Sequence, residues 1–185
     1  MSLLPIFTYG SSVLRKKAKP VLEISDEVVK LVMDMFDTMR NASGIGLAAT
    51  QVGSLQRIIV IDISDMEETK GVPPITLINP EVISSEGNWA MEEGCLSIPD
   101  VRDDVGRPEK IRIRFKDARF ADMELETCGI LGRVILHEID HLNGILFTDH
   151  LSAVRKKLHH KALKKIQHGE IEVNYPVITA TRVSV

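Results

Sequence analysis

The stretch GILGRVILHEIDHLNG, residues 129–144, decides how the rest of the chain must be arranged. Its apolar residues recur at helical spacing, with Leu131, Ile135, Ile139 and Leu142 on one face and Ile130, Val134, His137 and His141 on another. Gly144 supplies a helix terminator. Apolar side chains cover most of the circumference, so this helix belongs in the middle of a domain, and the charged side chains it carries must be paired or coordinated. Within it, His137-Glu138-Ile139-Asp140-His141 is an HExxH pattern. The i, i+4 spacing sets both imidazoles on one side about one turn apart, within reach of a single ion, and places the Glu138 carboxylate beside that ion.

A helix enclosed in this way needs a sheet and other helices around it, and the flanking sequence provides them. Ser25 caps a helix with Asp26 and Glu27 in its first turn, and Val28, Leu31, Val32, Met35 and Met39 form its buried stripe. At that spacing the methionines are core residues. The middle of the chain reads as sheet: Arg57 to Ile63 is a nearly continuous β-branched run, Ile75 to Ile78 a shorter one ending at Asn79-Pro80, and Glu81 to Ser85 a further strand. Ile111, Ile113 and Phe115 alternate with Arg112, Arg114 and Lys116, which puts the apolar groups inward, with Met123 and Leu125 on a partner strand. A last helix begins near Ser152, with Val154, Leu158, Ala162 and Ile166 as its apolar stripe and the cations Arg155, Lys156, Lys157, Lys161, Lys164 and Lys165 elsewhere. The expected class is α+β, with sheets packed around the central helix, an amphipathic helix in the N-terminal half and a C-terminal helix. One domain spans 1–185, and the tail from about 169 to 185 stays open between extended and loosely ordered.

With 185 residues, 44% of them hydrophobic, the chain can bury a core without disulfide staples. The formal charge of −3 gives no whole-chain reason to bind nucleic acid, and DNA is not an expected partner. Only Cys95 and Cys128 are present, a count that suits a reducing compartment. The opening residues Met1 to Gly10 lack a basic segment followed by an apolar one, and no apolar run reaches the roughly 18 residues of a membrane span, so the expectation is a cytoplasmic protein.

Two histidines are too few for a catalytic ion, which commonly takes three protein ligands and keeps one position for water. Cys95, in Glu92-Glu93-Gly94-Cys95-Leu96-Ser97, is the candidate third ligand, with Gly94 allowing close backbone approach and Pro99 expected to end regular structure. Cys128 reads as a small buried hydrophobe. The run GIGLAATQ at 44–51 lacks both G-x-G-x-x-G and the Gly-Lys-Ser/Thr of a phosphate loop, and reads better as a peptide-binding edge ending in one amide donor. At this point three readings stand: a hydrolase with an open metal site, a zinc endopeptidase sharing HExxH, and a binding module whose ion is structural and closed by four ligands.

Taken together, GIGLAATQ at 44–51, EGCLS at 93–97 and HEIDH at 137–141, in that order and spacing, resemble the three signature motifs of peptide deformylases. The resemblance runs from about Leu3 to Lys165 and includes Val13-Leu14-Arg15 and Lys19-Pro20-Val21. It implies a single catalytic α+β domain with Cys95, His137 and His141 as metal ligands, Glu138 as general base and acid, and Gln51 with the Leu96 N–H facing the reacting carbonyl. It further implies Gly46 and Gly94 as backbone partners of the peptide, formyl-methionine at the start of the substrate, formate as product, and Fe(II) as working ion with Zn, Ni or Co as substitutes. Helix geometry adds Val134 and Ile130, on the face of His137, as walls of a methionine pocket, with Ile45 and Met91 completing it. Asp140 points to another side of the helix and is expected to pair with Arg102 or Arg107. The basic helix 152–168 is either a solvated face or a dock for ribosomal RNA. One departure is Leu136, where many relatives carry glutamine, which bears on a neighbouring hydrogen bond rather than on the ligands.

Overall fold

Over residues 2–180, which the computed structural model describes, the chain runs β1 (Ile6–Phe7), α1 (Asp26–Asn41), β2 (Gly46–Ala48), β3 (Ile58–Ile61), β4 (Ile75–Glu86), β5 (Trp89–Cys95), β6 (Ile98–Arg107), β7 (Lys110–Lys116), β8 (Asp122–Cys128), α2 (Gly129–Leu142), α3 (Ala153–Gln167) and β9 (Val177–Ile178). An antiparallel five-stranded sheet has the order β2-β3-β4-β7-β8. Successive side chains on a strand point to opposite faces, and in β3 both faces are covered. Ile58 and Val60 pack with Val28, Met35 and Met39 of α1, whereas Ile59 and Ile61 pack with Ile135, Ile139 and Leu142 of α2. That double cover is the reason for the unbroken β-branched run, and each such side chain contributes roughly 1.5–3 kcal/mol on burial. The α+β expectation holds, with α2 on one face of the sheet and α1 on the other.

Both helices start and stop for local reasons. The Ser25 hydroxyl accepts from the Val28 N–H at 3.4 Å at the head of α1. Two residues beyond α2, Gly144 takes φ +75°, and a Cβ there would lie 2.6 Å from the Arg15 carbonyl oxygen, so no larger residue fits this stop. None of the helices among the described residues is long and apolar enough to cross a membrane.

Four local expectations are corrected. The chain does not break at Asn79-Pro80: β4 runs through it as one strand with a register shift, because Asn79 adopts φ +54° and its side chain clasps both the N–H and the carbonyl of Val21 at 2.8 Å. Nor does Pro99 end regular structure. It lies inside β6, which forms a separate two-stranded hairpin with β5, where proline is tolerated at the edge. Cys128 is exposed rather than buried. On α3 the inward face is rotated from the expected stripe: Leu163 and Ile166 are buried, while Val154 and Leu158 are 71% and 67% exposed. The cause is polar, since buried Asp103 of β6 accepts from Arg155 and lies 2.6 Å from His159, which turns that side of the helix inward.

The tail takes definite form. Beyond α3 it returns past the site to lay β9 parallel to β1, pairing Ile6 with Val177 and Phe7 with Ile178. Residues 181–185 lie outside the described part of the chain.

Candidate metal centre

His137 and His141 leave α2 on the same side, with ring centroids 4.9 Å apart and planes at 73°. Cys95 is the last residue of β5, where the hairpin register slips between Gly94 and Cys95. Its Sγ lies 3.1 Å from Nε2 of His141, and one donor atom from each of Cys95, His137 and His141 lies within 4.8 Å of the others. The other nitrogen of His137, Nδ1, faces Glu93 Oε2 at 3.0 Å, which orients the ring and leaves Nε2 for an ion. A thiolate with two imidazoles is a donor set for Fe(II), Zn, Ni or Co, and the three residues fit such an ion.

Behind the candidate ligands is a buried charge cluster that the sequence only partly exposes. Glu93 Oε1 accepts from Arg107 Nε at 2.6 Å and from Arg133 Nη1 at 2.7 Å, and Oε2 accepts from Arg107 Nη2 at 3.0 Å. Arg107 also donates to Asp140 at 2.7 Å, and His150 lies 2.7 Å from the same Asp140 oxygen. Of the two arginines expected to neutralise Asp140, Arg107 does so, whereas Arg102 lies exposed 3.8 Å from Glu92. Burial alone would raise the Glu93 carboxyl, but hydrogen bonds from His137 and Arg107 hold it well below the usual carboxylate range. Burial pushes the His141 imidazole down, as does the charge of His137 and Arg107, which favours the neutral, ligating form. For His137 burial acts downward too, yet the Cys95 and Glu93 contacts outweigh it and hold the ring well above its ordinary value.

Glu93 is the residue sequence reasoning overlooked, although it opens the EGCLS motif. Arg133 was covered only by the general requirement that a charge on a buried helix be paired; its Nη2 donates to the Trp89 carbonyl, and its guanidinium carbon sits 4.8 Å from the Trp89 ring centroid.

Glu138 is 4% exposed, its Oε2 has no hydrogen-bond partner, and burial pushes its carboxyl up to about 7. Gly46 makes this possible: a Cβ there would come within 2.6 Å of Glu138 Oε1 and 2.8 Å of Val134 Cγ1, so β2 reaches α2 only as glycine. Gln51 is locked by its own turn, with Oε1 accepting from Ala48 N at 2.8 Å while Nε2 donates to Ser97 Oγ at 3.2 Å and approaches Cys95 Sγ at 3.6 Å. A cavity of about 940 Å³ opens onto this constellation, lined by Gln51, Cys95, Leu96, His137 and Glu138. Ile45, Gly46, Met91, Gly94, Ile130 and Val134 also line it, so all the residues expected at the substrate face one space.

An α+β domain with an HExxH helix, a thiol brought to it by a β-hairpin and a deep cavity over a buried glutamate defines a class of metal-site hydrolases. A sequence profile described as polypeptide deformylase matches residues 3–157, and a peptide deformylase of Salinibacter ruber is 47% identical over 185 residues, covering 96% of this chain and 95% of the relative. The chain belongs to the peptide deformylase family, whose enzymes remove the N-formyl group from nascent polypeptides. Among solved structures, the peptide deformylase of Legionella pneumophila matches with TM-score 0.83 at 38% identity, covering 91% of this chain and 98% of the other. That of Synechococcus elongatus in complex with actinonin matches with TM-score 0.80 at 41% identity, covering 95% and 92%.

Proposed function

We propose that this chain hydrolyses the formyl group from N-formylmethionyl nascent peptides, with Cys95, His137 and His141 holding one divalent ion and Glu138 moving the proton. The observation that carries the reading is the convergence of those three donors, with Cys95 and His137 lining a cavity, beside a buried carboxylate that has an unpartnered oxygen. A bound divalent ion would supply Lewis acidity, lowering the pKa of water from 15.7 to about 7. Glu138, raised to about 7, is matched to both halves of proton transfer: it takes the proton of the attacking water and returns it to the departing amine nitrogen. Gln51 Nε2 and the Leu96 N–H serve the oxygen that gains charge as the formyl carbon becomes tetrahedral, and Gln51 must release Ser97 or the sulfur to do so. The backbones of Gly46 and Gly94 hold the peptide as an added strand, and Ile45, Met91, Ile130 and Val134 receive the methionine side chain.

Among the described residues no fourth His, Cys, Asp or Glu joins the ligand group, which favours a catalytic ion over a structural one. Fe(II) is the proposed working ion, with Zn, Ni or Co able to replace it. The two unpaired cysteines suit the cytoplasm. Docking to ribosomal RNA is proposed for the outer side of α3, where Lys157, Lys161 and Lys165 flank exposed Leu158. Because Leu163 and Ile166 belong to the core, that test needs charge neutralisation at the three lysines rather than removal of the helix. The deciding experiment is formate release from formyl-Met peptides by anaerobically purified protein with its metal counted. Equal cleavage of acetyl-Met peptides, or internal cleavage, overturns the assignment.

A further inference from the structure

The turn Cys95-Leu96-Ser97 carries both a ligand and the Leu96 N–H, and it is held from several directions. Gln51 Nε2 donates to the Ser97 hydroxyl at 3.2 Å, and the Tyr9 N–H donates to the Ser97 carbonyl at 2.8 Å. On the Leu96 side chain, Cδ1 fills the place where a Cβ on Gly44 would stand, 2.7 Å away. The remaining contact comes from the tail: the Tyr175 hydroxyl donates to the Leu96 carbonyl at 2.9 Å.

This contact is built into the fold. After Gly169, whose φ of +76° lets the chain turn back, Glu172, Val173, Asn174 and Tyr175 run along the wall of the cavity. The segment is then tied to the start of the chain, with Ile6 N donating to the Pro176 carbonyl and Thr8 N to the Ile178 carbonyl, each at 2.9 Å. Tyr175, like Leu96, is partly buried against the core cluster that contains Leu47, so its ring packs while its hydroxyl reaches the turn.

We propose that the strap 170–178 is part of the active site and that Tyr175 is a positioning residue, its hydroxyl fixing the Leu96 carbonyl and thereby the direction of the neighbouring Leu96 N–H. The inference rests on the deformylase reading, in which that N–H serves the reacting oxygen. The Leu96 carbonyl belongs to the peptide that follows Leu96 and the N–H to the one that precedes it, so a hydroxyl that pins the first restricts the rotation that would carry the second off target. A residue acting in this way moves kcat and leaves substrate binding nearly alone, because an aligned donor matters most as charge develops.

The test is Tyr175→Phe, which keeps the ring and removes only the hydroxyl. Expected is a fall in kcat of about five- to tenfold, the rate equivalent of one neutral hydrogen bond, with KM changed less than about twofold. Backbone amide exchange at Leu96 and Ser97, followed without substrate, should quicken by about tenfold. An unchanged kcat in a wild-type background that releases formate overturns the proposal, as does a rise in KM alone. Should wild-type protein release no formate, the deformylase reading fails, and unchanged exchange at Leu96 and Ser97 in the variant then overturns the brace by itself.

Discussion

Replacing Glu93 with glutamine tests how far the metal site depends on the charge cluster behind it. The carboxylate accepts four hydrogen bonds, from Arg107 Nε and Nη2, Arg133 Nη1 and His137 Nδ1. Whichever way the glutamine amide turns, one acceptor oxygen becomes an NH2 group facing two donors, so two of the four bonds are lost. At roughly 1.5–3 kcal/mol per charge-assisted bond, the loss is about 3–6 kcal/mol. Opening a buried ion cluster from one side costs roughly 3–5 kcal/mol, which agrees. For a domain of this length a loss of about 3–6 kcal/mol lowers Tm by about 6–24 °C. Urea unfolding in chelator measures it without the contribution of a bound ion. The same variant should hold its ion about 10–100-fold more weakly in a competition assay, because a neutral amide, even where its oxygen still accepts from His137, replaces the carboxylate that orients the ring. A Glu93→Gln protein with stability within about 1 kcal/mol of wild type and unaltered metal affinity would show that the cluster neither stabilises the fold nor aims the ligand.

Further expectations follow from the same geometry. Glu138→Gln should retain metal, counted by mass spectrometry, while formate release falls to near background; full turnover would mean that another group moves the proton. The same substitution should stabilise the chelated protein at pH 8: a carboxyl at about 7 in the fold against 4.5 in the unfolded chain loses stability as pH rises from 4.5 to 7, on the order of 3 kcal/mol. Urea midpoints compared at pH 4.5 and 8 check this, with the gain confined to the higher pH. Gln51→Ala should lower kcat by about 100-fold or more with a smaller change in KM, and an unchanged kcat removes Gln51 from the oxyanion role. Gly46→Ala, read by kcat and by Tm, should damage both, because its Cβ would meet Glu138 Oε1 at 2.6 Å and Val134 Cγ1 at 2.8 Å. Glu93 lies below its ordinary value, so its contribution is full above about pH 4.5 and is lost as pH falls further, which acid titration of the unfolding midpoint would record.

What the sequence disclosed tracks where periodicity is clean. The helices α1 and α2 and the partnership of β7 with the strand of Met123 and Leu125 were legible because one face of each element is largely apolar. The hairpin of β5 and β6 was not, although it delivers Cys95. Along β6 the inward positions Val101, Asp103, Val105 and Arg107 alternate strictly, but two of the four are ionic, which erases the hydrophobic pattern while the burial pattern stays regular. The rotation of α3 has the same origin: its inward contacts begin with Arg155 and His159 on Asp103, residues that read as surface in a linear scan. Buried charges conceal themselves in this way, since what makes them tolerable is a partner distant in sequence, as Asp140 is from Arg107 and His137 from Glu93. The motif positions were recoverable because spacing within a helix or a tight turn is local. Glu93, Arg133 and Tyr175 act across the fold, and their place emerges only with the chain assembled.

The double cover of β3 leaves a problem of alignment. Where one side of a strand faces water, sliding it by a single residue exposes apolar groups, and that cost enforces correct pairing. Ile58 to Ile61 offers no such discrimination, since either set of side chains would be greasy enough for either helix. Polar pegs must do the indexing instead: Arg57 donates to the Pro80 carbonyl at 3.0 Å and to Asn143 Oδ1 at 3.0 Å, while Asn79 grips Val21. Losing those pegs would scatter the chain among near-isoenergetic offsets and would show itself in slow, heterogeneous refolding before any large drop in equilibrium stability.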